Sequence, residues 1–275
     1  MRRLAGVLLA SLFVLGSHAA VQGVTFNATL TSIKIVARPG QVFTREFRLT
    51  LDPGQQKTRF HSHMQDWWRS EDGKQSFYKD PGTLARSCGT WVALSPVETE
   101  VLPGATMIVR LTVSVPADAQ PGGFWCVLTV DQLSDPLAAA EGVGVNFLAS
   151  VSNGLFVYVG DLERAAEITA VEIVNESAVV TVRNDGNTPL AIEGRFEFLT
   201  PGATVPTAVI NLARNTLLTE PILTGAFSAA LPDAATLPSG RYLVRAIIDY
   251  GLDHYIGTQK EIDVKRSVPA AGTPD

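Results

Sequence analysis

The chain is written in short apolar runs that alternate with polar residues and stop at turn-forming ones. Phe43, Phe47, Leu49 and Leu51 fall on one parity, and the run ends at Asp52-Pro53-Gly54. Met107, Val109, Leu111, Val113 and Val115 repeat the pattern and are closed by Pro116. Residues 124–130 form a denser apolar run after Pro121-Gly122-Gly123, while residues 24–36 alternate loosely up to Arg38-Pro39-Gly40. A period of two sends successive side chains to opposite faces of a sheet, and Pro, Gly, Asn and Asp punctuate strands. Long amphipathic helical windows are absent; residues 137–141 are the best short helix candidate. The pattern predicts an all-β chain built from sandwich domains.

The longest alternation spans residues 143–159: Val143, Val145, Phe147, Ala149, Val151, Leu155, Val157 and Val159 share one parity. As one strand it would extend roughly 50 Å, longer than a sheet of a small sandwich needs. It therefore reads as the last strand of a first domain, leading into a linker near Gly160-Asp161. The strand pattern restarts at Glu167, with runs at 168–174, 178–183, 190–199, 240–250 and 255–264. Asn184-Asp185-Gly186-Asn187 predicts a hairpin turn, because Asn, Asp and Gly tolerate positive φ. The organisation is thus two immunoglobulin-like β-sandwich domains in tandem, over 24–160 and 161–264.

The ends change the picture. Arg2-Arg3, an apolar run over 4–15 and Ser17-His18-Ala19 have the form of a signal peptide over 1–19. That run is too short to span a bilayer, which takes roughly 20 residues. No later segment reads as a span, so a soluble periplasmic or extracellular protein is expected. Residues 265–275 are polar, carry Pro269 and Pro274, and read as a disordered tail. Setting aside the two signal arginines takes Lys+Arg from 22 to 20 against 27 acids, a net charge of −7. That balance argues against nucleic acid, whose binding rests on neutralising phosphates. Cys88 and Cys126 are the only cysteines; in an exported protein such a pair reads as one disulfide. A redox or nucleophilic cysteine is the other reading, without C-x-x-C spacing to support it.

Candidate chemistry is sparse. His61-x-His63 lies in an extended segment, so both rings share a face, and Asp66 is near enough in sequence to complete a metal site. Exposed histidines on an edge strand are the competing reading, and no metal or cofactor is expected. His254 lies in a turn with Asp249 and Asp253 and reads as solvated, as do Glu98 and Glu100 beside a turn. Trp91 and Trp125 lie close to the cysteines, as rings packed on a disulfide between sheets would. Trp67-Trp68 offers one ring to the core and the other as a stacking platform for carbohydrate or as an interface. There is no Gly-x-Ser-x-Gly, no His-Glu-x-x-His and no phosphate loop, so the chain does not read as an enzyme.

Ser95-Pro96, Leu102-Pro103-Gly104-Ala105, Val109-Arg110-Leu111 and Val115-Pro116, followed by the aromatic-rich 124–130, resemble the PapD-like periplasmic pilus-assembly chaperones. The resemblance covers residues 31–159. It implies strand donation, in which the closing strand of the first domain fills the groove of a pilus or surface-protein subunit. Val145, Phe147, Ala149 and Val151 are the residues it marks as partner-binding. The family also keeps a basic pair in its interdomain cleft, on the first and closing strands. Those positions fall near Ile35 and Ser152 here, with Lys34 and Arg38 beside the first. The function expected is a chaperone-like binder of such subunits; a static structural or adhesive surface protein is the alternative.

Overall fold

A computed structural model describes residues 24–28, 32–133, 148–220 and 223–266. The expected signal peptide, the helix candidate at 137–141, Val145 and Phe147, and the tail beyond Arg266 lie outside the described residues. Those described form two β-sandwiches, with no α-helix among them and one 3-10 turn at Gly89–Trp91. No helix of the described residues is long and apolar enough to cross a membrane.

The first sandwich contains β1 Phe26–Ala28, β2 Ile33–Ala37, β3 Val42–Leu51, β4 Thr58–Arg69, β5 Gln75–Tyr78, β6 Val92–Ser95, β7 Glu98–Val101, β8 Thr106–Ser114, β9 Gly122–Gln132 and β10 Ser150–Val159. One sheet has the order β1-β3-β8-β6, the other β2-β10-β9-β4-β5, with β7 also on β4. The parity read from the sequence is the parity of burial. Phe47, Leu49, Leu51, Val109, Leu111 and Val113 face Cys126, Leu128, Val130, Leu155, Val157 and Val159 in a single apolar core. The run at 24–36 is not one strand. Its first part pairs antiparallel with β3 and its second parallel with β10, so the chain crosses between the sheets and both receive an edge.

The second sandwich contains β11 Ala166–Val174, β12 Ser177–Asn184, β13 Leu190–Leu199, β14 Ala208–Leu217, β15 Thr224–Ala230, β16 Gly240–Asp249 and β17 Ile256–Val264. Its sheets are β11-β12-β15 and β14-β13-β16-β17, closed over Phe196, Phe198, Val180, Val182, Ile248 and their neighbours.

The turn at Asn184-Asp185-Gly186-Asn187 is not a hairpin, because β12 and β13 belong to different sheets. Its residues build the junction between domains instead. Asn184 is fully buried, donating its amide to the carbonyls of Thr188 and Leu218 and accepting from the Gly186 N–H. Asn187 accepts the Gly123 N–H on its own carbonyl at 2.9 Å, and its side chain accepts from Glu163 N–H and donates to the Asp161 carbonyl. Gly123 is needed there because a Cβ would lie 2.4 Å from Pro189. On the other side, the Ala226 N–H donates to the Glu71 carbonyl, and Arg86 reaches Glu220 at 3.9 Å.

Candidate partner-binding site

Strand β10 is held on one side by β9 along its whole length, from Ser150 opposite Asp131 to Val159 opposite Gly122. On its other side β2 covers only the second half, from Leu155 opposite Ile33 to Val159 opposite Ala37. Among the described residues, the β2 ladder does not reach Ser150, Val151 or Ser152. An edge strand with unpaired N–H and C=O groups is a template for another chain. The alternating apolar set divides at the same place. Leu155, Val157 and Val159 are buried in the core, whereas Val151 is half-buried against it, Ala149 is half-buried and Leu148 is 54% exposed. Of the four residues marked by the sequence, Ala149 and Val151 therefore lie beyond the described part of the β2 ladder.

The opposite end of β10 borders a cleft of about 510 Å³ between the domains. Ser32 and Lys34 line it from β2 and its approach, Phe156 and Tyr158 from β10, and Arg214, Asn215 and Thr216 from β14. Burial raises the Tyr158 hydroxyl above its usual value, with Arg164 pulling the other way. The positions of the family's basic pair are held, as the sequence showed, by the uncharged Ile35 and Ser152. Ile35 points into the core opposite Val157, and Ser152 sits opposite Thr129, whose hydroxyl it meets at 3.1 Å. Lys34, one position from Ile35, has the parity that faces the cleft. The second cation, Arg214, comes from the other domain and reaches Glu193 at 3.8 Å. The sequence reading passed over Arg214 because β14 was hidden in a Pro- and Thr-rich stretch. The alternation Ala208, Ile210, Leu212 was the signal available there.

The wall beneath this face is aromatic. Trp67, Trp68, Trp125, Val127 and Phe156 of the first domain cluster with Leu218 of the second. Both tryptophans expected to divide between core and surface are thus buried, at 6% and 7% exposed, which removes the carbohydrate platform. The second domain covers the face that an isolated sandwich would leave open. The Trp125 indole N–H donates to the Trp67 carbonyl at 3.0 Å. Trp125 therefore does not pack on the disulfide; alternation along β9 turns it away from Cys126. Trp91 packs against the core that contains both cysteines, its ring 4.4 Å from that of Phe124.

The Cys88–Cys126 disulfide is present, with Cα atoms 5.3 Å apart. It ties β9 to the loop before β6 rather than one sheet to the other. Asp66 anchors the same loop. It is fully buried and accepts the Gly82 N–H at 3.1 Å, the Leu84 N–H at 2.9 Å and the Ser87 hydroxyl. It therefore cannot complete a metal site with the histidines, which lie on the opposite face of β4. Glu98 and Glu100 are surface partners of Arg59 and Lys57, each at 3.0 Å. His254 is a surface turn residue between Tyr250 and Asp253.

No protein-family model matches the chain, and no curated protein is similar to it in sequence. Two solved structures are similar at a TM-score of 0.50. One is the class 5 fimbriae chaperone CfaA, 10% identical, with 86% of this chain and 99% of that one covered. The other comes from a chaperone–tip adhesin complex of CFA/I fimbriae biogenesis, 9% identical, covering 86% of this chain and 98% of that one. The shared feature is the fold, over both domains. The chain thus has the two-sandwich fold of the fimbrial chaperones, as its Pro-Gly turn and strand order implied.

Proposed function

We propose that the protein binds subunits of a pilus or surface structure by adding β10, and the chain leading into it, to the subunit's sheet. The observation that carries this reading is that the ladder between β2 and β10 runs only from Leu155 to Val159 among the described residues, so that it stops short of Ser150, Val151 and Ser152. Main-chain bonds along such an edge hold a partner strand, and residues of one parity fill its groove. Val145, Phe147, Ala149 and Val151 supply that parity. The cleft at the far end gives the partner's chain end a place to stop. Lys34 and Arg214 both line it, and a terminal carboxylate is the group two such cations suit. Export through the 1–19 segment belongs to the same reading.

Coexpression with a pilus subunit lacking its own last strand should give a complex that survives gel filtration. Amide exchange at residues 150–154 should slow on complex formation, while residues 155–159 are already protected in the free protein. A complex without new protection at 150–154 would reject strand donation. A static surface protein is the second reading; burial of Leu155, Val157 and Val159 in the chain's own core favours it. It becomes the better account if no subunit is retained.

A further inference from the structure

His61 and His63 lie on the outer face of β4, with β9 between them and β10. The imidazoles stack with centroids 5.4 Å apart and planes inclined by 26°. Each turns the same nitrogen toward its own carboxylate: His61 Nδ1 lies 3.7 Å from Glu98 Oε1, and His63 Nδ1 lies 3.7 Å from Asp131 Oδ2. Glu98 comes from β7 and Asp131 from β9, the strands that flank β4. Asp131 is itself fixed by the Ser150 hydroxyl at 2.6 Å. A histidine that binds a metal through one nitrogen typically directs the other to a carboxylate, which fixes the ring and raises its basicity. Both rings here have a carboxylate on the Nδ1 side, at 3.7 Å and so not hydrogen-bonded to it, and both leave Nε2 as the ligand atom. The Nδ1 of His63 is buried without a hydrogen bond, so only the exposed side of that ring is open for coordination.

We propose that His61 and His63 form a two-histidine chelate for a divalent transition-metal ion, with Glu98 and Asp131 as its orienting carboxylates. Neighbours two apart on a strand share a face, so the pair is set by β4 rather than by a loop. Two cis imidazole nitrogens at about 2.0–2.1 Å from one ion lie roughly 2.9–3.4 Å apart, so the stacked rings would have to turn their Nε2 atoms toward each other on binding. No group of three or more His, Cys, Asp or Glu converges among the described residues, so water fills the remaining positions. Two imidazoles and water place copper(II) above nickel(II) and zinc(II) in affinity.

Untagged protein lacking residues 1–19 is titrated with copper(II) and with zinc(II) by calorimetry, and the copper form is examined by EPR. One equivalent of copper should bind, with hyperfine structure from two nitrogens. His61→Ala and His63→Ala should each weaken binding at least tenfold, and Asp131→Asn roughly tenfold or more. His254→Ala, at the remaining histidine beyond residue 19, should change nothing. Unchanged urea midpoints in the variants show that the fold is kept. Absence of stoichiometric copper binding, or binding that survives the His61→Ala/His63→Ala double variant, overturns the proposal.

Discussion

Asp66→Ala should be one of the costliest single changes in the first sandwich, and the reason lies in which donors it strands. The Leu84 N–H has Asp66 as its acceptor, whereas the Gly82 N–H also lies 3.1 Å from the Ser87 hydroxyl. Removing the carboxylate orphans one part-buried N–H, frees the Ser87 hydroxyl from its acceptor and leaves a small void. One unsatisfied donor costs about 1–3 kcal/mol and one lost hydrogen bond about 1 kcal/mol, so a total of about 2–4 kcal/mol is expected. Asp66→Asn keeps an acceptor for the two N–H groups but turns an NH₂ toward Ser87. That hydroxyl already accepts from Gly82 and Gly89, so the new donor lacks a lone pair and about 1–2 kcal/mol is lost. Urea unfolding followed by tryptophan fluorescence reads this domain alone, because all 4 tryptophans lie in it. With a slope of about 2 kcal/mol per molar, Asp66→Ala should lower the midpoint by roughly 1–2 M and Asp66→Asn by about half that. Glu100→Ala, which removes an exposed ion pair, should cost under about 0.5 kcal/mol. The reasoning is refuted if Asp66→Ala shifts the midpoint no more than Glu100→Ala does.

Replacing both cysteines by alanine should cost about 4 kcal/mol in the chain-entropy estimate for a separation of 38 residues, read by the same unfolding assay. Gly123→Ala should loosen the interdomain junction, since its Cβ would meet Pro189 and Thr188; faster exchange of the Ala226 amide would report it. His63 has its folded value lowered, chiefly by burial, so the unfolded chain takes up the proton first. Its contribution to stability is therefore full above about pH 6.5 and falls as the pH drops below it. His63→Gln should flatten the wild-type decline in urea midpoint between about pH 7.5 and 5. N-terminal sequencing of exported protein should begin near Ala20, and intact Met1 would contradict the leader.

Much of the first sandwich was legible because its core strands obey a strict parity: the residues picked out in β3, β8 and β10 are those that meet in the core. The strand switch between β1 and β2 was not legible, since each half alternates in the same way and only pairing separates them. Asn184 to Asn187 misled for a related reason. Their tolerance of positive φ was read correctly as a break, but turn chemistry does not reveal whether the next strand returns in the same sheet. Trp67 and Trp68 were misjudged because alternation assigns one of two neighbours to solvent only when nothing covers the outer face. The basic residues of the cleft were half visible: Lys34 was noted beside its expected place, while Arg214 becomes its companion only through the docking of the second domain.

The aromatic cluster under the cleft also sets the order in which the chain becomes safe to leave alone. Trp67, Trp68 and Trp125 are complete once β10 has formed, but Leu218, which helps cover them, follows Val159 by 59 residues. A chain emerging N-terminus first folds its domains in turn, so the first sandwich exists for a time with this greasy face bare. During that interval a protein built to offer an edge to others is itself exposed to unwanted association. A fragment ending at the linker would be held permanently at that stage, and its solubility, rather than its core, would be the first property to fail.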